Sequence, residues 1–161
     1  MANPTDKLDA QSKAVLEAMS VLNSKGIPSR IIEKIPATVS FPGYPLTRTD
    51  FQKARTDLIQ RNFITHQEGG LVIHPLAQDL VRAITPDDRF STVFSSMVSV
   101  IYAVWPYKES TFGINQDRWL LCIDLFPHIL ELRGLVSRFQ PSPDLTEAHL
   151  DGPELFIEAA S

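Results

Sequence analysis

The chain has 161 residues, of which 43% are hydrophobic and 21% charged, and its formal net charge is −4. These proportions are ordinary for a globular protein and exclude a disordered chain, while the acidic balance argues against a general nucleic-acid binder. One cysteine excludes an internal disulfide framework, and without an apolar run typical of a secretory signal or membrane span we expect a cytoplasmic or nuclear protein.

The first predicted elements are two helices and a loop. Apolar residues at helical spacing predict a first helix over residues 8–23, which Gly26 ends. Residues 30–34 predict a short second helix that closes at Pro36. The prolines and glycine of residues 37–46 predict an irregular loop.

Residues 47–84 carry the most informative pattern of the sequence. Thr47 and Asp50 have the spacing of a capping box, and the helix that follows, over 51–61, has one apolar face. Residues 63–65 and 71–73 are strand-like and flank Glu68-Gly69-Gly70, which predicts a hairpin. Pro75 suits the first position of a further helix over 75–84. The order predicts a mainly α fold with a winged-helix-like module and a short β-hairpin over residues 8–84.

A helical pair is predicted over residues 85–139. Thr85 is expected to cap its first helix, with Pro86, Asp87 and Asp88 in the first turn. That helix carries an apolar stripe of seven residues: Phe90, Val93, Phe94, Met97, Ile101, Val104 and Trp105. We expect the stripe to cover a domain or repeat outside this chain, and therefore to leave exposed hydrophobic surface that promotes self-association.

The second helix of the pair is predicted over residues 116–139, with apolar positions that include Trp119, Leu120, Ile123, Phe126 and Leu130. Pro127 should kink or restart it. The pair resembles the start of a helical repeat array. Residues 140–161 are rich in proline and acidic side chains and predict a flexible acidic tail.

No pattern indicates catalysis. The glycines do not form a phosphate-binding loop, and the serines lack a glycine-flanked elbow. His66 and His74 flank the hairpin without a third metal ligand, while Cys122 lies in an apolar helical pattern, as a buried hydrophobe would. We therefore expect a protein that is not an enzyme, with no catalytic residue, no metal and no cofactor.

The helix after Thr47 carries Arg48, Lys53 and Arg55, which in a DNA-binding winged helix would enter the major groove. Ion pairs along a solvated helix explain these charges more simply, because the hairpin has Gln67 and Glu68 where a DNA binder would carry basic residues. A DNA-binding winged-helix regulator is therefore the less favoured alternative, and a nucleic-acid partner is not expected.

Four segments carry a resemblance to a known group of proteins. They are 16–22 with Gly26-Ile27-Pro28; Asp57-Leu58-Ile59 with Phe63-Ile64; Ile73-His74-Pro75-Leu76-Ala77-Gln78; and Trp105-Pro106 with Trp119, Phe126-Pro127-His128 and Leu132. Over residues 8–135 the chain resembles the region that follows the nucleotide-binding domain in fungal STAND-type NTPases, which combine an NB-ARC or NACHT core with tetratricopeptide repeats.

The resemblance implies a function. In that family the winged helix is a lid on the nucleotide-binding domain, and a histidine of a Met-His-Asp-like motif contacts the ADP phosphate. His74 matches the histidine, while Ile73 and Pro75 replace its neighbours, so a structural role in joining hairpin to helix competes with nucleotide sensing.

The chain contains no nucleotide-binding domain, so we expect an excised piece, a truncated gene product or a stand-alone relative without ATPase activity. The expected function is that of a non-catalytic regulatory or interaction module. Its partner would be a protein, namely the nucleotide-binding domain or the repeat domain of a relative.

Overall fold

A computed structural model gives the fold, and it describes residues 4–29, 31–32, 41–68, 70–105 and 116–138, with side chains over 119–136 in the last range. These residues form a 3-10 helix, Pro4–Lys7, and then α1 Ala10–Ser20, α2 Arg48–Gln60, β1 Ile64–Gln67, β2 Gly70–Ile73, α3 Pro75–Ile84, α4 Asp87–Val104 and α5 Gln116–Arg138. The predicted mainly α fold with one short β-hairpin is confirmed.

Helix α1 lies at the centre of the fold. The side chain of Asp9 caps it, since Oδ1 accepts the backbone N–H of Ser12 at 2.6 Å. All residues over 14–20 are buried, which is the pattern of a helix enclosed on every side. Helices α2, α3 and α4 all pack against it. The predicted first helix is therefore present, with its start two residues later than the sequence indicated.

The two strands of the hairpin pair with each other, and β2 also pairs with the backbone of Ile27. Strands β1 and β2 are antiparallel, with Ile64 opposite Ile73 and Gln67 opposite Gly70. In addition, Ile27 and Leu71 exchange two backbone hydrogen bonds, both of 2.8 Å. The hairpin is thereby attached to the segment that follows α1, and one edge of β2 is covered.

Helix α2 begins with the predicted capping arrangement. The backbone N–H of Asp50 donates to Thr47 Oγ1 at 3.1 Å, and the Thr47 hydroxyl donates to Asp50 Oδ2 at 2.7 Å. On the inner face Phe51, Ala54 and Leu58 are buried, as expected, while Ile59 is half-buried. The local sequence thus determines both the start and the orientation of this helix.

The cap of α2 yields a first prediction. Changing Thr47 to alanine should lower the free energy of unfolding by about 1 kcal/mol, because an N–H of the first turn loses its acceptor. Urea titration followed by circular dichroism measures the change. Thr49→Ala, at an exposed position of the same turn, is the matched control and should leave the urea midpoint close to that of the wild type. Equal losses in both variants would contradict the capping role.

Two expectations about the start of α4 are wrong. Thr85 does not cap α4 but ends α3, because its hydroxyl donates to the carbonyl oxygen of Val81 at 2.6 Å. Pro86 is the N-cap residue and has no side-chain cap bond. The connector has only these two residues, so the hydroxyl reaches the free carbonyl of the preceding last turn first. The acidic first turn, Asp87 and Asp88, is present as predicted.

The stripe on α4 is not exposed, which corrects a third expectation. Phe90, Val93, Met97 and Ile101 are at most 2% exposed. They belong to one hydrophobic cluster with α1, α2, the hairpin and the inner face of α5. Phe94 and Val104, in the same stripe, are half-buried against this cluster. The chain itself therefore covers most of the stripe, and the described part of the molecule has a continuous core.

Helix α5 continues through Pro127 without a restart. The predicted second helix, 30–34, is described only at Ile31 and Ile32, which are helical and buried. Residues 37–40 of the loop and the predicted tail, 140–161, lie outside the described residues. None of the helices that are described combines the length and the hydrophobicity needed to cross a membrane.

Candidate functional site

His74 occupies the joint between the hairpin and α3. Its backbone N–H donates to the carbonyl oxygen of Phe63 at 3.0 Å, and its own carbonyl accepts the N–H of Gln78. The imidazole Nδ1 accepts the backbone N–H of Leu76 at 3.3 Å and so caps the helix. An Nδ1 that accepts a hydrogen bond places the proton of a neutral imidazole on Nε2. His74 is exposed, and it therefore presents a donor at the positive end of α3.

An apolar side chain lies next to this donor. Leu76, in the first turn of α3, is 73% exposed. We define the joint surface as His74 and Leu76. The geometry supports a structural role for His74, because its backbone and its ring both make hydrogen bonds that fix the turn. Contact between His74 and a nucleotide stays a prediction.

The three basic residues of the alternative function lie on α2. Arg48 and Lys53 are exposed and Arg55 is half-buried. Lys53 Nζ lies 4.0 Å from a carboxylate oxygen of Asp50. Arg61, at the end of the same helix, pairs with Asp57 at 2.7 Å. Acidic neighbours thus offset part of the basic charge on α2, and DNA contact by these residues also stays a prediction.

No metal site is evident among the side chains that the structure describes, because no three histidine, cysteine or acidic residues are grouped there. His66 lies on the exposed side of β1. Cys122 is half-buried against the core, less enclosed than its apolar sequence context suggested.

Polar side chains of α3 cover the C-terminal end of α1. Gln78 Nε2 donates to the carbonyl oxygens of Ser20 and Leu22, at 3.1 and 2.7 Å. Arg82 Nε donates to the same Ser20 oxygen at 2.6 Å. Carbonyl groups in the last turn of a helix have no partner within the helix, so these donors satisfy them inside the protein.

Side chains of α5 also bind at the C-terminal end of α1 and at α3. Arg82 Nη2 lies 2.7 Å from Glu131 Oε1. His128, with 1% of its surface exposed, accepts the backbone N–H of Asn23 at 3.2 Å through Nδ1. We call Gln78, Arg82, His128 and Glu131 the polar junction. It fixes α5 to α1 and α3 through groups whose positions are set by hydrogen bonds.

The charge state of His128 follows from its surroundings. Burial lowers the pKa of its imidazole from 6.5 to about 4, against the opposing effects of the nearby Gly26 backbone and of the Asp124 and Glu131 carboxylates. His128 is therefore neutral at physiological pH. A neutral ring with Nδ1 as acceptor is the form that the bond to Asn23 requires.

A second charged group connects α4 to α1. Arg89 donates two hydrogen bonds to Glu17 Oε2, at 2.9 and 2.7 Å, and a third to the carbonyl oxygen of Pro42. Its guanidinium lies 5.2 Å from the ring centroid of Phe41. Glu17 is buried, so its charge is paired where water is excluded. The arrangement holds the segment before α2 against the core and has a structural role.

Helix α5 carries the largest group of exposed apolar side chains on any described helix. Five of them are between 39% and 68% exposed: Trp119, Leu120, Ile123, Phe126 and Leu130. We call these five the outer face of α5. The sequence identified them as apolar helix positions but not as surface residues, because the other side of the helix is apolar as well. The presence of apolar residues on both sides of the helix was the sequence signal that could have indicated a second contact surface.

The chain matches one known protein family. Residues 4–90 match the family described as a domain of unknown function, DUF7779. No curated protein and no solved structure matches the chain. The matched residues run from the 3-10 helix to the first turn of α4, and so include the hairpin and the joint surface. Since this range covers more than half of the sequence, the chain belongs to the DUF7779 family.

Proposed function

We propose that this protein is a non-catalytic interaction module of the cytoplasm, which works as the lid region of a fungal STAND-type NTPase does. The observation that carries the proposal is the joint surface, where His74 caps α3 through Nδ1 and directs its remaining N–H donor away from the cap. The segment 73–78 is also one of the four segments that carry the resemblance to that family.

The chemistry of the joint surface fits a partner that holds a nucleotide. A helix N-terminus favours an anion, and an imidazole N–H can donate to a phosphate oxygen. Leu76 adds an exposed apolar group, which is the kind of surface that a protein interface covers. The partner supplies the nucleotide site and the magnesium, and this chain supplies a donor and a contact surface. Binding of the module therefore depends on which nucleotide the partner holds, while the module itself does not hydrolyse that nucleotide.

The experiment uses His74→Asn. Asparagine is a good N-cap residue and keeps a side-chain acceptor for the N–H of Leu76, but it removes the donor at Nε2. Titration calorimetry against a separately produced nucleotide-binding domain of a STAND-type NTPase, loaded with ADP, should show binding by the wild-type chain. The variant should bind about 10-fold more weakly, the effect of one lost hydrogen bond to a charged group.

Leu76→Glu should weaken binding as well, whereas Leu46→Glu, at a leucine that is 71% exposed outside the joint surface, is the matched control. Circular dichroism would establish that the three variants keep their helices. Equal affinity of His74→Asn and wild type would refute the role of the histidine. Magnesium-dependent hydrolysis of ATP by the purified chain would refute the non-catalytic proposal as a whole.

A further inference from the structure

Helix α5 has two apolar faces, and the part of the chain that the structure describes covers only one of them. Leu125, Ile129, Leu132 and Leu135 are at most 2% exposed and pack into the core. The outer face lies on the opposite side of the same helix and is exposed. A helix that is apolar on opposite sides is normally buried on both, and contiguous exposed apolar surface marks an interaction site.

The spacing of the outer face fits a helix–helix seam. Trp119, Ile123, Phe126 and Leu130 follow one another at intervals of four, three and four residues, as the a and d positions of a heptad do. If two such helices meet in antiparallel orientation about a two-fold axis, Trp119 lies opposite Leu130 and Ile123 opposite Phe126. Every side chain of the seam then faces an apolar side chain, and no charged residue is a member of it. The seam is therefore self-complementary.

Gly134 gives independent support. It lies one helical turn beyond Leu130, and a Cβ atom there would meet nothing within 4 Å. Packing among the described residues thus gives no reason for glycine, although glycine in a helix costs about 1 kcal/mol relative to alanine. In the antiparallel pairing the space beside Leu130 and Gly134 receives the indole of Trp119 from the second copy. A large side chain is then matched to a small one.

The area of the outer face is also of the right size. The exposed fractions of its five side chains correspond to roughly 500 Å² per chain, given the areas of large apolar and aromatic residues. Two copies together would bury on the order of 1,000 Å² before any flanking contact is counted, which reaches the lower bound for a specific interface. We propose that the outer face of α5 is a homodimer interface, in which two copies of α5 pack antiparallel about a two-fold axis.

Sedimentation velocity of the full chain over a range of concentrations tests the proposal. The wild type should show a reversible monomer–dimer equilibrium. Ile123→Glu and Phe126→Lys should each weaken the dimer by about 100-fold, because a charge is then buried against an apolar partner. Both sites are exposed in one chain, so the helix content should not change. Leu46→Glu, at a leucine outside α5, should dimerise like the wild type.

The register has its own test. An equimolar mixture of Ile123→Glu and Phe126→Lys should recover a dimer, because the two new charges face each other at one contact and the wild-type pair remains at the other. Gly134→Leu should raise the thermal stability of the dilute monomer through helix propensity and yet weaken dimerisation, since it fills the space for Trp119.

A wild-type chain that stays monomeric throughout the series would overturn the proposal, as would a dimer that survives Ile123→Glu. A mixture that stays monomeric would overturn the antiparallel register. A monomer that binds only a helix of another protein through this face would likewise exclude the second copy as its occupant. The joint surface lies outside α5, so these results leave the proposed lid function to be judged separately.

Discussion

Replacing Gly70 with alanine is expected to destabilise the fold by about 3 kcal/mol or more, the range of changes that force the backbone to move. A Cβ atom at this position would overlap the carbonyl oxygen of Ile27, with the carbonyl carbon at 2.7 Å and Pro28 Cα at 3.2 Å. These are backbone atoms, held in place by the two hydrogen bonds between Ile27 and Leu71. The variant must therefore separate the hairpin from the segment after α1.

Gly134→Ala is the matched control for this prediction. The change is the same in chemistry, but a Cβ at Gly134 meets nothing within 4 Å. It should stabilise the dilute chain by about 0.5–1 kcal/mol, because alanine is the better helix former. Urea titration of both variants provides the comparison. A Gly70→Ala variant with the wild-type urea midpoint would show that Ile27 and β2 do not approach each other so closely.

The second large effect is a loss of stability in acid that depends on His128. The folded-state pKa of about 4 lies below the unfolded value of 6.5. The unfolded chain therefore binds a proton first, and stability falls as the pH drops from 6.5 towards 4. Above pH 6.5 the ring is neutral in both states and its contribution is complete. A difference of that size corresponds to about 3 kcal/mol in total.

His128→Asn separates this effect from the titration of the carboxylates. Asparagine retains an acceptor close to the position of Nδ1 for the N–H of Asn23 but does not titrate. At pH 7.5 the variant should be less stable than the wild type, since it leaves a small cavity. Between pH 7.5 and pH 4.5 the difference should shift by about 2–3 kcal/mol in favour of the variant. Urea midpoints at both values measure it.

A difference between the two proteins that does not change with pH would contradict the low pKa of His128. His128→Leu provides a second comparison, because it removes the acceptor and leaves the N–H of Asn23 without a partner. It should be less stable than His128→Asn at pH 7.5 by about 1 kcal/mol, the low end of the cost of an unsatisfied donor, because the N–H of Asn23 is only part-buried.

Elements with local signals could be predicted from the sequence. The cap at Thr47, the glycines of the hairpin and Pro75 at the start of α3 act over a few residues, so each determines its own element. The order of helix, hairpin and helix follows from them. The position of His74 at the joint could be predicted for the same reason.

The surroundings of each helix could not be predicted, because periodicity shows which residues are apolar and not what lies against them. The stripe on α4 was expected to be exposed, and yet α1 and α5 bury it. The outer face of α5 was expected to be part of an ordinary apolar pattern, and yet it is exposed. Both outcomes have one cause, since only the tertiary arrangement determines which apolar face of a helix packs against a neighbour.

The contacts of the polar junction could not be predicted from the sequence either. His128 and Arg82 bond to backbone groups of Asn23 and Ser20, which lie 105 and 62 positions away in the chain. No local pattern encodes a contact over such a distance. A sequence motif, Phe126-Pro127-His128, pointed to the histidine, but its role as a buried acceptor at the end of α1 required the fold.

The two tryptophans of the chain lie in opposite environments, Trp105 with 7% of its surface exposed and Trp119 with 68%. An indole in a dry interior emits at shorter wavelength than one in water, so we expect the intrinsic fluorescence of this protein to have two separate components. In a Trp105→Phe background only the component from α5 remains. The emission maximum of Trp119 should then shift to shorter wavelength when another molecule covers α5, so binding at that helix can be followed without a label.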